Sequence, residues 1–526
     1  MPRMMFRNYH NKRSPFRKNT GLHEGASTAS EIGGSLHESI ARIVRILEAP
    51  DDLVTRFISG KDGVPMCAIL CIAGLSDLNM INEQIVPSLQ RAFSVVEPTQ
   101  KMSGQEMFEM LDQHFLSVQK YKTTQSLDDI LVSILSGDTA LFIEGLDRVL
   151  LIGSKKWTGR SVEEPQTEAL VRGPREGFNE SIETNLILLR RAIRDPKLRF
   201  DPYRIGERSK KELVIAYIDN IVHPDLLQEV KRRVETIDID DVPESGTIEQ
   251  MIQDSFLSPF PLILHTERPD KAASAILQGK VVILLDGTPF SLIMPTTFVS
   301  LVQSPEDYYE RWLIGTLIRV LRYSAVVISL TFPSIYIALV SFHQGMIPSK
   351  LAFSIAASRE GVPFPAVVEA FLMELTLELL REAGVRLPKP IGQTIGIVGG
   401  LVIGEAAVQA GIVSPIMVIV VAVTAVSSFA IPSYSAGIAF RILRFLTMIA
   451  ASMFGLYGII LAMIMICIHL SRLQSFGVPY LTPLSPGFYR DWRDMIIRAP
   501  STMLTKRPQF MQTKDDSRMG NKGGGP

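Results

Sequence analysis

The chain has 526 residues, with 54 Lys plus Arg set against 54 Asp plus Glu, and 46% of its residues are apolar. That length allows two or three domains, and the neutral balance gives no hint of nucleic acid as a partner. There are three cysteines, and Cys67 and Cys71 stand at C-x-x-x-C spacing, which fits neither a redox pair nor half a zinc site and reads as buried strand thiols.

The apolar residues are unevenly placed. Composition is that of a globular domain up to about Glu310, and long uncharged runs follow it. The fold expected is therefore an α/β cytoplasmic domain of two related subdomains, followed by an α-helical polytopic transmembrane domain. The basic N-terminus lacks the apolar core of a signal peptide, so the soluble part is expected to remain in the cytoplasm.

Residues 1–35 are basic and then Gly/Ser-rich, the composition of a disordered tail. A helix is expected through LHESIARIVRILEAP, then a strand around Cys67 to Ala73 and a helix from Met80 to Phe93. An internal repeat organises residues 36–160 and 161–310 into two subdomains. SILSGDTALFIEGLDRVLLI (133–152) and AILQGKVVILLDGTPFSLIM (275–294) align without a gap, pairing Gly137 with Gly279 and the turns Glu144-Gly145 and Asp286-Gly287. An acidic residue before Gly suits a tight hairpin, because Gly accepts positive φ. The run after Val281 is thus a hairpin rather than a membrane span. Upstream, Ile72, Leu75 and Glu83 match Ile218, Ile221 and Glu229. Between the repeats, Asn179 is expected to cap a helix. Arg172, Arg175, Arg190, Arg191 and Arg194 there read as a solvated face or an intersubunit surface rather than a phosphate site, since GPREG lacks the spacing and Lys of a phosphate loop.

Residues 311–486 carry the expected spans, about 323–343, 391–410, 414–431 and 445–470. Arg319 and Arg322 precede the first, where the positive-inside rule places them for a cytoplasmic soluble domain. Residues 362–383 differ, because Glu369, Glu374 and Glu378 interrupt an otherwise apolar helix. About nine apolar residues at roughly −0.5 kcal/mol each do not offset three carboxylates at about 3 kcal/mol each. This segment either lies along the interface or turns its acidic face to a wet space or a partner. Glu369, Glu374, Glu378 and Glu405 are the candidate ion path. In IGQTIGIVGGLVIG, Gly392, Gly396, Gly400 and Gly404 recur every fourth residue and form a ridge suited to close helix packing, within the chain or between copies. Four full crossings place the C-terminus on the side of the soluble domain and five reverse it. Residues 487–526 read as a basic, Gly-rich tail. No HExxH, GxSxG or GxxxxGK[ST] is present, so an enzyme is not expected, nor a cofactor or a metal.

The run REGVPFPAVVEAFLMELTLELLREAGVRLPKPIGQTIGIVGGLVIGEAAVQAGIVSP, with SSFAIPSYSAGIAFRILRF, SFGVPYLTPLSP and GPREGFNESIETNLILLRRAI, resembles the A subunit of the GerA family of spore germination receptors. The resemblance covers about residues 40–490. It implies a multi-pass protein of the spore inner membrane with its N-terminal domain in the spore core. It further implies a homo-oligomeric ring, a pentamer, that opens to monovalent cations on a nutrient signal, with a transporter-like B subunit and a lipoprotein C subunit as partners. An accessory channel of the dipicolinate-release operon type, or a non-conducting scaffold, would share the same motifs.

Overall fold

Short apolar runs closed by Gly or Pro turns form two sheets of one topology. The computed structural model describes residues 35–48, 50, 52–60, 62–95, 102–114, 121–155, 164–165, 167–386 and 404–519. In the first subdomain β1 (Leu53–Ser59), β2 (Pro65–Ile72), β3 (Tyr121–Thr124), β4 (Thr139–Ile143) and β5 (Val149–Ile152) lie in the order β1-β2-β4-β5-β3. In the second, β6 (Leu198–Ile205), β7 (Lys211–Ile218), β8 (Leu264–Thr266), β9 (Val281–Leu285) and β10 (Ser291–Met294) repeat it as β6-β7-β9-β10-β8, every pair antiparallel.

Helices cover both faces of the first sheet, which is why its central strands read as unbroken apolar runs. Leu36–Leu47 and Leu127–Ile134 pack on one face, and Val86–Val95 and Gly104–His114 on the other. Cys67 and Cys71 face the second of these cores, and burial pushes their thiols up to about 12 and about 11. They are inert packing groups.

The repeat has a specific cause in its turns. Gly137 and Gly279 sit at φ 93° and 88°, and a Cβ at Gly137 would come within 2.6 Å of the Leu75 carbonyl oxygen. The turn acids cap the helix that opens each subdomain: Leu36 N donates to Glu144 Oε2 at 2.9 Å, and Ile182 N to Asp286 Oδ1 at 3.3 Å. The helix after the interdomain turn starts one residue pair later than expected. Ser181 is its N-cap, accepting from Thr184 N, while Asn179 Oδ1 accepts from Ser181 N at 3.0 Å and shapes the approach.

Arg190 joins the two subdomains. It is 3% exposed and donates from Nε and Nη2 to both oxygens of Asp52 at 3.1 Å, while Arg199 donates to the Leu47 carbonyl. Of the basic residues singled out in this stretch, Arg191 lies at the surface, 3.3 Å from Glu176.

The C-terminal half is helical: Trp312–Ser341, Ser349–Arg359, Ala366–Arg386, Gly404–Gln409, Pro415–Phe429 and Tyr434–Arg472. Trp312–Ser341 and Tyr434–Arg472 are long and apolar enough to cross a membrane, whereas Pro415–Phe429 is apolar but short. Trp312–Ser341 runs through Pro333 as one helix, and Tyr434–Arg472 is broken at Gly455, with φ 59° and ψ −139°. The expected 391–410 span lies outside the described residues as far as Leu401, Val402 and Ile403, and so do Gly392, Gly396 and Gly400. Gly404 is buried, with Val418 of the neighbouring Pro415–Phe429 helix beside it.

After Arg472 the chain returns to the second subdomain. Ser475 Oγ donates to Leu262 O at 2.6 Å, Tyr480 OH to Pro261 O at 2.7 Å and Arg507 Nε to Leu277 O at 2.8 Å, with Phe476 and Met511 in the core. The segment expected as a tail from residue 487 is laid on the α/β domain, with anchors as far as Lys514.

Candidate functional site

On Ala366–Arg386, Glu374 and Glu378 stand one turn apart on one face, while Glu369 lies well around the helix from both, and each meets arginines by its own route. Glu369 is 0% exposed; its Oε2 accepts from Ser414 N at 3.0 Å, at the start of Pro415–Phe429, and Arg359 stands 2.9 Å from its Oε1. Glu374 is also 0% exposed and lies 3.0 Å from Arg444 Nη2 of the broken helix. The angle there is poor, so neither Glu374 oxygen has a true hydrogen bond and charge alone holds the pair. Glu378 is the hub, with Arg381 at 3.1 Å, Arg444 at 3.4 Å and Arg441 at 3.7 Å.

Three carboxylates thus face four arginines among the described residues. Glu369 and Glu374 are enclosed within the chain, Glu378 is partly open, and Glu405 is exposed with Gln409 Nε2 donating to it at 3.1 Å. Glu405 does not join the cluster.

A second buried cluster roots the first long helix. Arg319, 0% exposed, donates from Nε to Asp307 Oδ2 at 2.9 Å and from Nη1 to Asp494 Oδ1 at 2.8 Å, and Arg322 Nη1 donates to Asp307 Oδ1 at 2.6 Å. These arginines, placed by composition as flanking charges, are internal pins. The counter-ions Arg359, Arg441 and Arg444 were not foreseen as partners. The available signal was the i, i+3 spacing of Arg441 and Arg444 in an apolar helix, which matches a facing Glu pair at i, i+4.

The outer faces of these helices stay apolar: Leu317, Leu321 and Val327 on the first, Met453, Tyr457 and Ile460 on the broken one are all more than half exposed. So large an apolar surface on a folded chain calls for lipid or another polypeptide.

The profile described as "Bacillus/Clostridium GerA spore germination protein" matches residues 41–510. The chain belongs to the GerA family. Within it, spore germination protein GerLA of Bacillus cereus is 50% identical over 487 residues, 93% of this chain and 98% of GerLA. Spore germination protein KA of Bacillus subtilis is 42% identical over 490 residues, 93% of this chain and 89% of KA. Among solved structures, the N-terminal domain of the A subunit of the Bacillus megaterium spore germinant receptor GerK3 matches at 30% identity and TM-score 0.39, covering 51% of this chain and 98% of that domain.

Proposed function

We propose that this protein is the A subunit of a nutrient-responsive germination receptor, gathered into a ring, a pentamer, in the spore inner membrane, where it forms a gated path for monovalent cations. The B subunit, transporter-like, and the lipoprotein C subunit are its partners, and the α/β domain faces the spore core. Membership of the GerA family supports the receptor reading, through relatives named as spore germination proteins. The observation that carries the assembly is the apolar outer face of the two long helices beside carboxylates that remain open to water.

The path is assigned to Glu405, which is exposed, and to Glu378, which is partly open among Arg381, Arg441 and Arg444, with Glu369 and Glu374 buried beside Arg359 and Arg444. Gly392, Gly396, Gly400 and Gly404 supply the ridge on which helices pack. Replacing both Glu378 and Glu405 by Gln should lower potassium flux through the protein in liposomes, with the amount inserted unchanged. Equal flux in the variant removes the ion path.

A non-conducting scaffold is the second reading, favoured by the four arginines that offset the buried carboxylates inside the chain. It expects the same ring and no flux in either protein.

A further inference from the structure

Lys280 stands where the Pro269–Leu277 helix turns through Gly279 into β9. It is 6% exposed, its backbone N donates to the Ala275 carbonyl, and among the described residues its ammonium has no hydrogen bond and no ion-pair partner; its charged neighbour is another cation, Lys271. Burying an ammonium without an anion is unfavourable, and burial with the Lys271 repulsion pushes its pKa down to about 8, so it stays charged at neutral pH. A charge left in that condition calls for a partner from outside the chain.

The space that Lys280 lines is suited to supply one. It is a cavity of about 590 Å³ between the second subdomain and the returning C-terminal segment. Its three carboxylates are all committed elsewhere. Asp270 accepts from Arg268 and from Tyr309 OH; Asp494 from Arg319 and from Tyr308 OH at 2.7 Å; Asp491 from the backbone N–H groups of Gln509 and Phe510. The guanidiniums of Arg493 and Arg518, also at the cavity, have no side-chain partner among the described residues. Its potential is therefore positive, and Leu277, Val299, Met503 and Phe510 add apolar wall. A volume between about 300 and 1,000 Å³ with a few convergent charges is the ordinary form of a small-molecule site.

We propose that this cavity binds a small organic oxyanion, bearing a phosphate or carboxylate that pairs with Lys280 while its body lies against the apolar wall and bridges the second subdomain to the C-terminal segment. The site is separate from the membrane helices, so it stands or falls independently of ion conduction. Much of its lining, from Pro483 to Arg518, belongs to the C-terminal segment, and the α/β domain alone cannot form it.

The full-length protein in detergent micelles, titrated with inorganic phosphate, citrate and AMP against chloride at matched ionic strength, tests this. Trp492 reports locally, since its Nε1 donates to the carbonyl of Pro483, which lines the cavity. At least one oxyanion should raise the unfolding temperature and change Trp492 emission in a saturable way. AMP or citrate acting where phosphate does not would show that the organic body contributes. Lys280→Met should bind about 10- to 100-fold more weakly, as expected for loss of one charge-assisted contact. Without ligand it should unfold at a higher temperature than the parent, having lost an unpaired buried charge. The double variant Arg493→Gln with Arg518→Gln, which keeps Lys280, should bind more weakly than the parent even if Lys280→Met fails to fold. The proposal is overturned if no probe acts beyond chloride up to about 10 mM, well above the dissociation constant of a millimolar site. It is also overturned if Lys280→Met and the double variant respond as the parent does.

Discussion

Replacing Arg444 by Met is the sharpest test of what the buried charges do. Glu374 is 0% exposed, and Arg444 Nη2 at 3.0 Å is its counter-ion; Arg381, the other nearby cation, is held by Glu378 at 3.1 Å. Removing one partner of such a pair costs about 3–5 kcal/mol, and proton uptake by the stranded carboxylate limits the loss to the lower end, about 3 kcal/mol. At about 2–4 °C per kcal/mol for a region of this size, the unfolding temperature should fall by roughly 6–12 °C. Glu374→Gln should fall less, by about 1–2 kcal/mol, because Arg444 keeps Glu378 at 3.4 Å. The double variant Arg444→Met with Glu374→Leu exchanges the pair for apolar packing and should recover most of the parent's stability. The assay is loss of the folded peak on size exclusion after heating in micelles, at one fixed rate because unfolding there is irreversible. Arg444→Met melting within about 2 °C of the parent, or a double variant as low as the summed singles, would refute the reasoning. The same series in spores separates roles: if the pair only holds helices together, the double variant also regains germination.

Burial lifts the Glu249 carboxyl from 4.5 to about 7, with Glu244 adding repulsion. The folded protein then holds a proton that the unfolded chain has released, so this contribution is complete below about pH 4.5 and is lost as pH rises through about 7. Glu249→Gln should be more stable than the parent by about 1–3 kcal/mol at pH 8 and nearly equal to it at pH 4.5, by thermal unfolding; parallel pH curves would contradict this. At Gly455, whose φ and ψ belong to glycine, an added Cβ would meet His343 Cε1 at 2.7 Å and Phe342 Cβ at 3.0 Å. Gly455→Ala should therefore cost at least about 1–3 kcal/mol in the same heating assay, and an unchanged melt would show that the break in the helix is dispensable.

What was legible in the sequence was what nearest neighbours and exact spacing determine. The offset that pairs Gly137 with Gly279 locates two hairpins and, through them, two sheets of identical strand order. The acid before each turn glycine was read as turn chemistry, yet it also caps a helix 104 or 108 residues away, and no local pattern carries that information. The same holds for Arg190 with Asp52, Arg319 with Asp307 and Arg444 with Glu374: each partner type was visible, but the choice of partner is made by the fold. Glu369, Glu374 and Glu378 were recognised as too costly to leave in lipid, and the arginines that share their burial come from the same helix, from a stretch not singled out (Arg359) and from just before the expected 445–470 span (Arg441 and Arg444). The C-terminal segment was the hardest to read. Arg507 and Lys514 anchor it by donating to main-chain carbonyls of Leu277 and Asp219, and a carbonyl is present at every residue, so composition cannot point to it.

Those anchors also constrain how the helices are threaded. Trp312–Ser341 begins at Asp307 and Asp494, and Tyr434–Arg472 ends where Phe476 N donates to Asp254 Oδ2 at 2.7 Å, in the second subdomain. Entry to the helical region and exit from it are therefore on one side, that of the α/β domain. Any path across a bilayer that preserves these contacts makes an even number of full crossings. Two or four crossings meet that condition. The glutamate helix packs against Pro415–Phe429 and the broken helix through Glu369 with Ser414 and Glu374 with Arg444, because charges shut away from water must be neutralised by the chain itself.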